Sequence, residues 1–153
     1  MESYHKIIAQ NRKAKFNYSI QDKIEAGIVL QGSELKSIRS GKVSIEDSYA
    51  ADNSNEIFLY NAYIAEYKQA NRFNHIPRRV RKLLLHRKEI RKIIGKLSVQ
   101  GYTLVPLSIY FNSKNILKVE LGLAKGKKHY DKRYALKEQE WKKQQARIMR
   151  NKF

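Results

Sequence analysis

Lysine and arginine dominate the side chains of this sequence that can bind or react, and they cluster in two segments. Residues 72–96 contain ten Lys or Arg and a single acid, Glu89, and residues 125–153 contain eleven Lys or Arg and three acids. The whole chain has a formal net charge of +18, so these segments hold almost all of the excess. Because each neutralised phosphate releases condensed counterions, clustered cations favour polyanions. The sequence therefore predicts a polyanionic partner, with nucleic acid as the leading candidate.

Residue types that support catalysis or metal binding are sparse. The four histidines, His5, His75, His86 and His129, have no spacing typical of a metal site, and no Walker loop or nucleophile elbow is present. The absence of cysteine removes disulfides, thiolate zinc sites and cysteine nucleophiles. We therefore expect a binding protein rather than an enzyme, with no cofactor and no metal.

An anionic membrane surface is the alternative polyanionic partner. The sequence has no run of about 18 apolar residues, no lipidation motif and no secretory signal pattern. We therefore expect no membrane attachment and a cytoplasmic location.

Alternating apolar residues predict six short strands. The clearest alternation is that of Leu117, Val119, Leu121 and Leu123. The first two strands are expected to form a hairpin with a turn near residues 21–23, and Pro106 places its strand at an edge or a bulge. The predicted strands cover residues 16–20, 25–30, 43–50, 56–63, 102–111 and 116–124.

Two helices are predicted between these strands. Residues 32–41 have glycine at both ends and Ser33 as a possible N-cap. The second helix begins at about Arg87, where Glu89 can reach back to His86 as in a capping box. Its apolar residues recur at i, i+3, i+4 and i+7, namely Ile90, Ile93, Ile94 and Leu97. The predicted fold is mainly β with two to three helices, an OB-like six-stranded antiparallel barrel followed by a basic C-terminal tail.

The tail differs from the barrel in composition. We predict an OB-like barrel over residues 1–125 and a basic tail over residues 126–153, disordered alone and helical when bound. Trp141, Ile148 and Met149 either fold back on the barrel or dock on a partner, and the sequence leaves both possibilities open.

Candidate anion-binding residues lie in three parts of the predicted barrel. Residues 11–15 form a small basic cluster that includes Arg12 and Lys13. Lys36 and Arg39 are three residues apart, so they share one side of the first predicted helix. The third part is residues 78–96, where a solvated helix face is the ordinary alternative to an anion-binding surface, and its candidates include Arg79, Arg81 and Lys82. Tyr130 and Tyr134 lie among basic residues and are candidates for base stacking.

Six phrases, in register along nearly the whole chain, resemble the small protein B (SmpB) family of SsrA-binding proteins. The phrases are Asn-Arg-Lys-Ala at 11–14, Glu-Ala-Gly-Ile at 25–28, Gly-Ser-Glu-Leu-Lys-Ser-Ile-Arg-Ser-Gly at 32–41, Arg-Lys-Leu-Leu-Leu-His at 81–86, Gly-Lys-Lys-His-Tyr-Asp-Lys-Arg at 126–133 and Ala-Arg-Ile-Met-Arg-Asn at 146–151.

The resemblance implies a barrel that binds the tRNA-like domain of transfer-messenger RNA and brings it, with elongation factor Tu, to stalled ribosomes. It implies that Asn11 and Glu25 help to hold the RNA, and that the tail enters the empty mRNA channel as a helix. The motif expected at the decoding centre comprises Gly126, Lys127, Lys128, Tyr130, Asp131, Lys132 and Arg133. The residues that match the family's tail are Trp141, Arg147, Ile148, Met149 and Arg150.

One position departs from the family pattern. Many members have histidine where Tyr130 stands, a residue thought to stack on a decoding-site base, and tyrosine can also stack. The alternative function is that of a general OB-type RNA-binding protein or RNA chaperone. Such a protein would bind many single strands similarly and would lose little when the tail is removed.

Overall fold

The structure is a computed structural model and describes residues 6–69, 74–126 and 129–151. Nine strands and four helices lie in these ranges. The helices are α1 (Arg12–Asn17), α2 (Gly32–Arg39), α3 (Arg87–Leu97) and α4 (His129–Asn151). The strands are β1 (Lys6–Gln10), β2 (Tyr18–Ile28), β3 (Val43–Ser44), β4 (Tyr49–Asn53), β5 (Glu56–Tyr60), β6 (Tyr63–Ile64), β7 (Arg81–Leu84), β8 (Tyr102–Phe111) and β9 (Leu117–Gly126).

Six of the strands pair in a ring. The order β8-β4-β5-β7-β2-β9 is completed by pairing of β9 with β8, and every pair is antiparallel. β1 is a seventh strand of the same sheet and pairs antiparallel with β8. The predicted OB-like six-stranded antiparallel barrel is confirmed.

The C-terminal hairpin of the barrel follows the sequence pattern closely. The inward residues of β9 are the alternating leucines and valine, all of them buried. Pro106 lies beside a bulge, where the register between β8 and β9 shifts, which agrees with the prediction for a residue that cannot donate to the ladder. This hairpin supplies much of the barrel core.

The predicted hairpin over residues 16–30 is wrong. Helix α1 covers part of it because Asn11 caps that helix, accepting a hydrogen bond from the Ala14 N–H at 3.2 Å. β2 then runs without a turn through the predicted turn residues, absorbing only a bulge between Ile20 and Asp22. The long pairing of β2 with β9 outweighs the local turn signal.

Strand β7 replaces the missing member of the predicted six. Along it, Arg81 and Leu83 are buried while Lys82 and Leu84 are exposed. The alternation is regular, but one of its inward residues is an arginine. A pattern search based on hydrophobicity therefore passes over this strand.

The two predicted middle strands are each divided in the structure. Residues 43–50 form β3 and the start of β4, and residues 56–63 form β5 and the start of β6. The predicted turn between them is confirmed, with Ser54 and Asn55 at positive φ. This turn joins β4 to β5 as a hairpin.

Both helices predicted between strands are confirmed, with one correction at a cap. The N-cap of α2 is Gln31 rather than Ser33, and Glu34 reaches back to accept from the Gln31 N–H at 2.8 Å. In α3 the predicted contact is present, since Glu89 accepts from the His86 N–H at 3.1 Å. The core-facing residues of α3 include the buried Ile90 and Ile93.

The described part of the tail forms the single helix α4, of 23 residues. Its described side chains are all exposed. A charged helix whose side chains are exposed gains little stability from packing. The predicted disorder of the tail in the absence of a partner therefore stays a prediction.

Candidate nucleic-acid interface

Asn11 organises the start of α1 from inside the protein. It is buried, and its side-chain amide donates to the carbonyl oxygens of Pro106 at 3.0 Å and Ile45 at 3.3 Å. Its side-chain oxygen is occupied by the helix cap. Asn11 therefore holds α1 against the barrel, and its described hydrogen bonds are all internal.

The exposed residues next to Asn11 surround a pocket of about 460 Å³ between β1, α1 and α4. Arg12 and Lys15 contribute cations and Phe16 contributes a half-buried ring. Gln139 of α4 forms part of the wall, so the tail helix lies beside α1. Lys13 lies outside this pocket, about 4 Å from the carboxylates of Glu46 and Asp47.

A second cleft, of about 450 Å³, lies where the outer faces of β2, β7 and β9 meet the start of α3. Leu84 and His86 are exposed at its edge, which makes it part apolar and part polar. Its lining residues are Glu25, Gly27, Leu84, Leu85, His86, Glu89 and Lys118. The arrangement combines a hydrogen-bond acceptor, an apolar platform and a cation, which are the chemical elements of nucleotide recognition.

The carboxylate of Glu25 is held in this cleft by a tyrosine. Tyr110, on β8, donates its hydroxyl hydrogen to Oε2 of Glu25. Burial raises the pKa of the Tyr110 hydroxyl well above its ordinary value, and the hydrogen bond to Glu25 raises that pKa further. Tyr110 is therefore a neutral donor under all physiological conditions.

Lys36 and Arg39 of α2 are both exposed. The Lys36 ammonium lies 5.5 Å from the centre of the Tyr67 ring, a cation–π contact. Arg39 lines a groove whose apolar wall includes Ile28 and Phe111. Because Gly27 lines the Glu25 cleft and Ile28 lines this groove, the two are adjacent along β2.

Arg81 is placed where no nucleic acid can reach it. Its side chain and that of Glu34 are both 0% exposed, and its Nε donates to Oε2 of Glu34. Its two terminal nitrogens donate to the carbonyl oxygens of Ala62 at 2.8 Å and Pro77 at 3.0 Å. Arg81 thus joins α2 to β7 and to the segment before β7, which is a role in folding.

Arg79 shares the same carboxylate from the surface side. It donates to Oε1 of Glu34 and, at 3.3 Å, to the carbonyl oxygen of Val29, and its side chain is 27% exposed. Burial alone would raise the pKa of the Glu34 carboxyl. The hydrogen bonds from Arg79, the Gln31 N–H and Arg81 outweigh burial and hold that pKa below its ordinary value.

His75 anchors the segment that leads to these arginines. It is buried, with Nε2 2.9 Å from the Ile64 carbonyl oxygen and Nδ1 2.9 Å from the Ser33 hydroxyl. Because a carbonyl oxygen only accepts, Nε2 is the donor. Both ring nitrogens are occupied within the protein, so His75 is a structural residue.

Unlike Arg81, Lys82 of β7 and the cations of α3 lie at the surface. Lys82 lies 3.9 Å from Glu56, and Lys92 donates to Asp22 at 2.7 Å. The other exposed cations of α3 are Arg87, Lys88, Arg91 and Lys96. Arg72, which belongs to the same basic segment of the sequence, lies outside the described residues.

The motif that the resemblance assigns to the decoding centre begins at the end of the last barrel strand. Gly126 ends β9, and Lys127 and Lys128 lie outside the described residues. Tyr130, Asp131 and Lys132 belong to the first turns of α4, and Arg133 is exposed.

The apolar residues of the tail do not fold back on the barrel. Trp141 is 61% exposed and Met149 is 62% exposed. The remaining tail residues of the predicted set, Arg147, Ile148 and Arg150, are also exposed. An exposed tryptophan on a long cationic helix is typical of a surface that binds a partner.

Reasoning from the sequence missed Tyr110, Leu84 and Lys118 as parts of the candidate interface. In the sequence Tyr110 lies within an apolar strand pattern and Leu84 within an apolar run, so neither has the features of a binding residue. The missing signal is register: only the pairing of β8 and β2 with β9 brings Tyr110, Glu25 and Lys118 together.

Within the described ranges no group of three or more His, Asp or Glu is close enough to hold a metal ion. No described helix is long and apolar enough to span a membrane. The features that the described residues do offer are clefts lined by cations and hydrogen-bonding groups and a cationic helix.

A sequence model of the SmpB protein family matches residues 8–151. The SsrA-binding protein of Orientia tsutsugamushi (strain Boryong) is 89% identical over 153 residues, which are 100% of both chains. That of Rickettsia bellii (strain RML369-C) is 64% identical over 152 residues, 99% of this chain and 100% of the relative. A solved structure described as "tmRNA-SmpB: a journey to the center of the bacterial ribosome" matches with a TM-score of 0.66 and 47% identity. The match covers 83% of this chain and 92% of that chain.

Proposed function

The chain belongs to the SmpB family, and from this premise we propose that it binds SsrA RNA, which is transfer-messenger RNA, and brings it to stalled ribosomes for trans-translation. The barrel holds the tRNA-like domain of the RNA. The tail occupies the decoding centre and the mRNA channel of the ribosome. Elongation factor Tu joins through the RNA, and the location of the protein is that of the ribosome, the cytoplasm.

The observation that carries this division is the contrast between the barrel and α4. The barrel core is complete within residues 6–126, while the described side chains of α4 are all exposed. A region with its own core can bind RNA as a rigid body, and a helix without a core needs a partner to cover it.

On the barrel, we assign RNA binding to residues of the two outer clefts, to the cations of α2 and to three other basic residues at or near the surface. The assigned residues are Arg12, Lys13, Glu25, Lys36, Arg39, Arg79 and Lys82. Asn11 supports this surface from beneath by capping α1, and Arg81 supports it by joining α2 to β7. A-form RNA is recognised by shape and phosphate contacts, which suits a convex barrel with cations on its outside.

On the ribosome, we assign the motif from Gly126 to Arg133 to the decoding centre, with Tyr130 stacking on a base. The remaining tail lies in the mRNA channel. An mRNA in the channel excludes the tail sterically, and its phosphates cannot be displaced by the tail's cations. The empty channel is therefore the signal for rescue. Tail-dependent binding to ribosomes that carry full-length mRNA, at the same affinity, would refute this selectivity.

The test compares the full chain with a chain that ends at Gly126, which keeps every pairing of β9. We expect binding of SsrA RNA to survive and peptide tagging on stalled ribosomes to be lost. Both are measured across a salt series, because phosphate contacts set the slope of affinity against salt.

If the shortened chain loses SsrA RNA binding itself, the tail is a phosphate clamp and the two-part division is wrong. If the full chain binds unrelated single strands as tightly as SsrA RNA, the protein is a general RNA-binding protein. Circular dichroism of the shortened chain is the control that tests whether its barrel is still folded.

A further inference from the structure

The outer face of the β4–β5 hairpin is aromatic and is not used by the proposed function. Ala50, Ile57 and Leu59 of these strands are buried in the core, so the residues that alternate with them face outward. These outward residues are Tyr49, Ala51, Phe58 and Tyr60. Tyr49 is 49% exposed, and its ring stacks on that of Tyr60 with 5.3 Å between the ring centres. Exposed aromatic side chains that share one face are typical of protein–protein interfaces.

The hairpin lies in the longest stretch of the sequence without lysine or arginine. Residues 43–67 contain five acids, which are Glu46, Asp47, Asp52, Glu56 and Glu66. Other segments bring Lys13, Lys82 and Arg87 to its edges, and each of these cations lies within 4.0 Å of one of the carboxylates. The face therefore repels a polyanion but accepts a cationic polypeptide with apolar side chains.

A pocket of about 370 Å³ opens beside Tyr49, where the hairpin faces α1. Tyr18 and Val105 form apolar parts of its wall, and Glu46 and Asp47 belong to its polar part. Indole combines a large apolar ring with a single N–H donor and has no acceptor. The lining of this pocket therefore suits a tryptophan side chain.

Helix α4 has the complementary apolar stripe. Trp141 and Ile148 are seven residues apart, so they project from the same side of the helix, and Met149 lies beside them. All three side chains are exposed. From Trp141 to Met149 the helix rises about 12 Å, and a five-residue strand such as β4 or β5 is about 17 Å long. The stripe therefore fits along the hairpin, and the cations beside it, which include Lys142, meet a segment that has only acids.

We propose that the outer face of the β4–β5 hairpin binds α4 of a second copy of this chain, with Trp141 of one copy in the pocket beside Tyr49 of the other. The contact covers an apolar stripe that otherwise faces water. Both copies have a net charge of +18, but at about 0.1 M salt charges more than about 10 Å apart are largely screened, so the local match decides. The inference goes beyond the proposed function, because it concerns the free protein, in which no ribosome covers α4.

The first test uses Trp141 as the reporter, because it is the single tryptophan of the chain. The full chain, freed of nucleic acid by ribonuclease and high salt, is measured over a concentration series. We expect the emission of Trp141 to shift to the blue over the concentrations at which sedimentation velocity shows association. Tyr49→Ala should weaken the association about tenfold or more, the scale of a buried aromatic contact. Tyr63→Ala, which removes a tyrosine that is 39% exposed beside Arg78, is the matched control and should associate as the parent does.

A mixing experiment tests the pairing itself. Tyr49→Ala keeps an intact tail, and Trp141→Ala keeps an intact hairpin and contains no tryptophan. Each variant alone should associate weakly. Addition of excess Trp141→Ala protein to Tyr49→Ala protein should shift the emission of the remaining Trp141 to the blue, because an intact tail then meets an intact hairpin. The chain with both substitutions, which also contains no tryptophan, should cause no shift.

Salt separates this contact from copies joined by residual nucleic acid. Because the two copies have like net charge, association of protein with protein should strengthen as salt rises from about 0.02 to about 0.2 M. Association through a polyanion weakens over the same range.

Three outcomes overturn the inference. A parent chain that remains monomeric at about 1 mM has no such contact, and a mixture without an emission shift means that tail and hairpin do not pair. Association that disappears with ribonuclease, or weakens as salt rises, means that nucleic acid joins the copies. Thermal unfolding of each variant excludes a loss of folded protein. Tyr49→Ala should bind SsrA RNA as the parent does, which keeps a failure of this inference apart from a failure of the proposed function.

Discussion

Arg81 in the barrel is buried and Trp141 in α4 is exposed, which is the reverse of the usual burial of these two side chains. The arginine is 0% exposed and the tryptophan is 61% exposed. The buried charge is stable because Glu34 and two carbonyl oxygens receive its hydrogen bonds. The exposed ring has no such compensation within the protein. A charge inside therefore indicates a role in folding, and an apolar side chain outside indicates a role in binding.

The two regions also differ in how their cations are used. On the barrel, Lys13, Lys82 and Lys92 each lie within 4.0 Å of a carboxylate of the protein. Among the described side chains of α4, none forms a salt bridge. The charges of these described side chains are therefore available to an external polyanion, while part of the charge of the barrel is balanced internally.

Removing the buried arginine should have the largest effect on folding. We expect Arg81→Ala to lower the free energy of unfolding by about 3–5 kcal/mol, because the buried Glu34 carboxylate loses one of its two arginine partners and two carbonyl oxygens lose their donor. Arg147→Ala, on the exposed α4, should change it by less than about 0.5 kcal/mol. Urea unfolding of the free protein measures both. Equal effects of the two substitutions would remove the distinction between the regions.

Acid should weaken the barrel through the same cluster. The hydrogen bonds to Glu34 hold its pKa below the ordinary value of 4.5, so the folded state releases this proton more readily than the unfolded state. The stabilisation is fully present above pH 4.5 and is lost as the pH falls through the folded pKa. Glu34→Gln should make the unfolding free energy less dependent on pH below that value.

Asp22 provides the matched control for this pH dependence. Its pKa is also lowered, mainly by the hydrogen bond from Lys92, but the pair is exposed. Because exposed pairs contribute little to stability, Asp22→Asn should keep most of the acid sensitivity of the parent. Unfolding midpoints measured from neutral to acidic pH compare the three proteins. The assignment to Glu34 is contradicted if Glu34→Gln retains the full acid sensitivity of the parent.

Local sequence patterns correctly predicted those helices and strands whose apolar residues face the core. Helix α3 was predicted from its apolar spacing and the contact of Glu89 with His86, and β9 was predicted from its alternation. Both lie in the structure as expected. The turn before β5 was found because asparagine and serine tolerate positive φ.

Long-range pairing explains what the sequence did not reveal. The continuous β2 depends on β9, almost a hundred residues later, and the inward arginine of β7 depends on a glutamate of α2. Prediction of the candidate site was limited by the same long-range pairing. Arg81 was predicted to bind RNA because of its charge, but it is buried. Tyr110 can be placed at the site only from the strand register.

The smallest effect on folding, and a large effect on function, is expected from the exposed apolar residues of α4. Replacing Trp141, Ile148 and Met149 together by alanine should change the unfolding free energy by less than about 0.5 kcal/mol, because they are exposed. SsrA RNA binding should stay unchanged, while peptide tagging on stalled ribosomes should be largely lost. Replacing Gln144 and Gln145 by alanine, on the same helix, should leave both measurements unaltered.

This triple variant decides where the apolar side chains of the tail act. If they pack on the barrel in solution, the variant unfolds at a lower urea concentration, and the loss of tagging follows from a loss of stability. If they act on the ribosome, the urea midpoint is unchanged and tagging fails at saturating SsrA RNA. The combination of lower stability with normal tagging would contradict the contrast between barrel and tail, because α4 would then belong to the folded core.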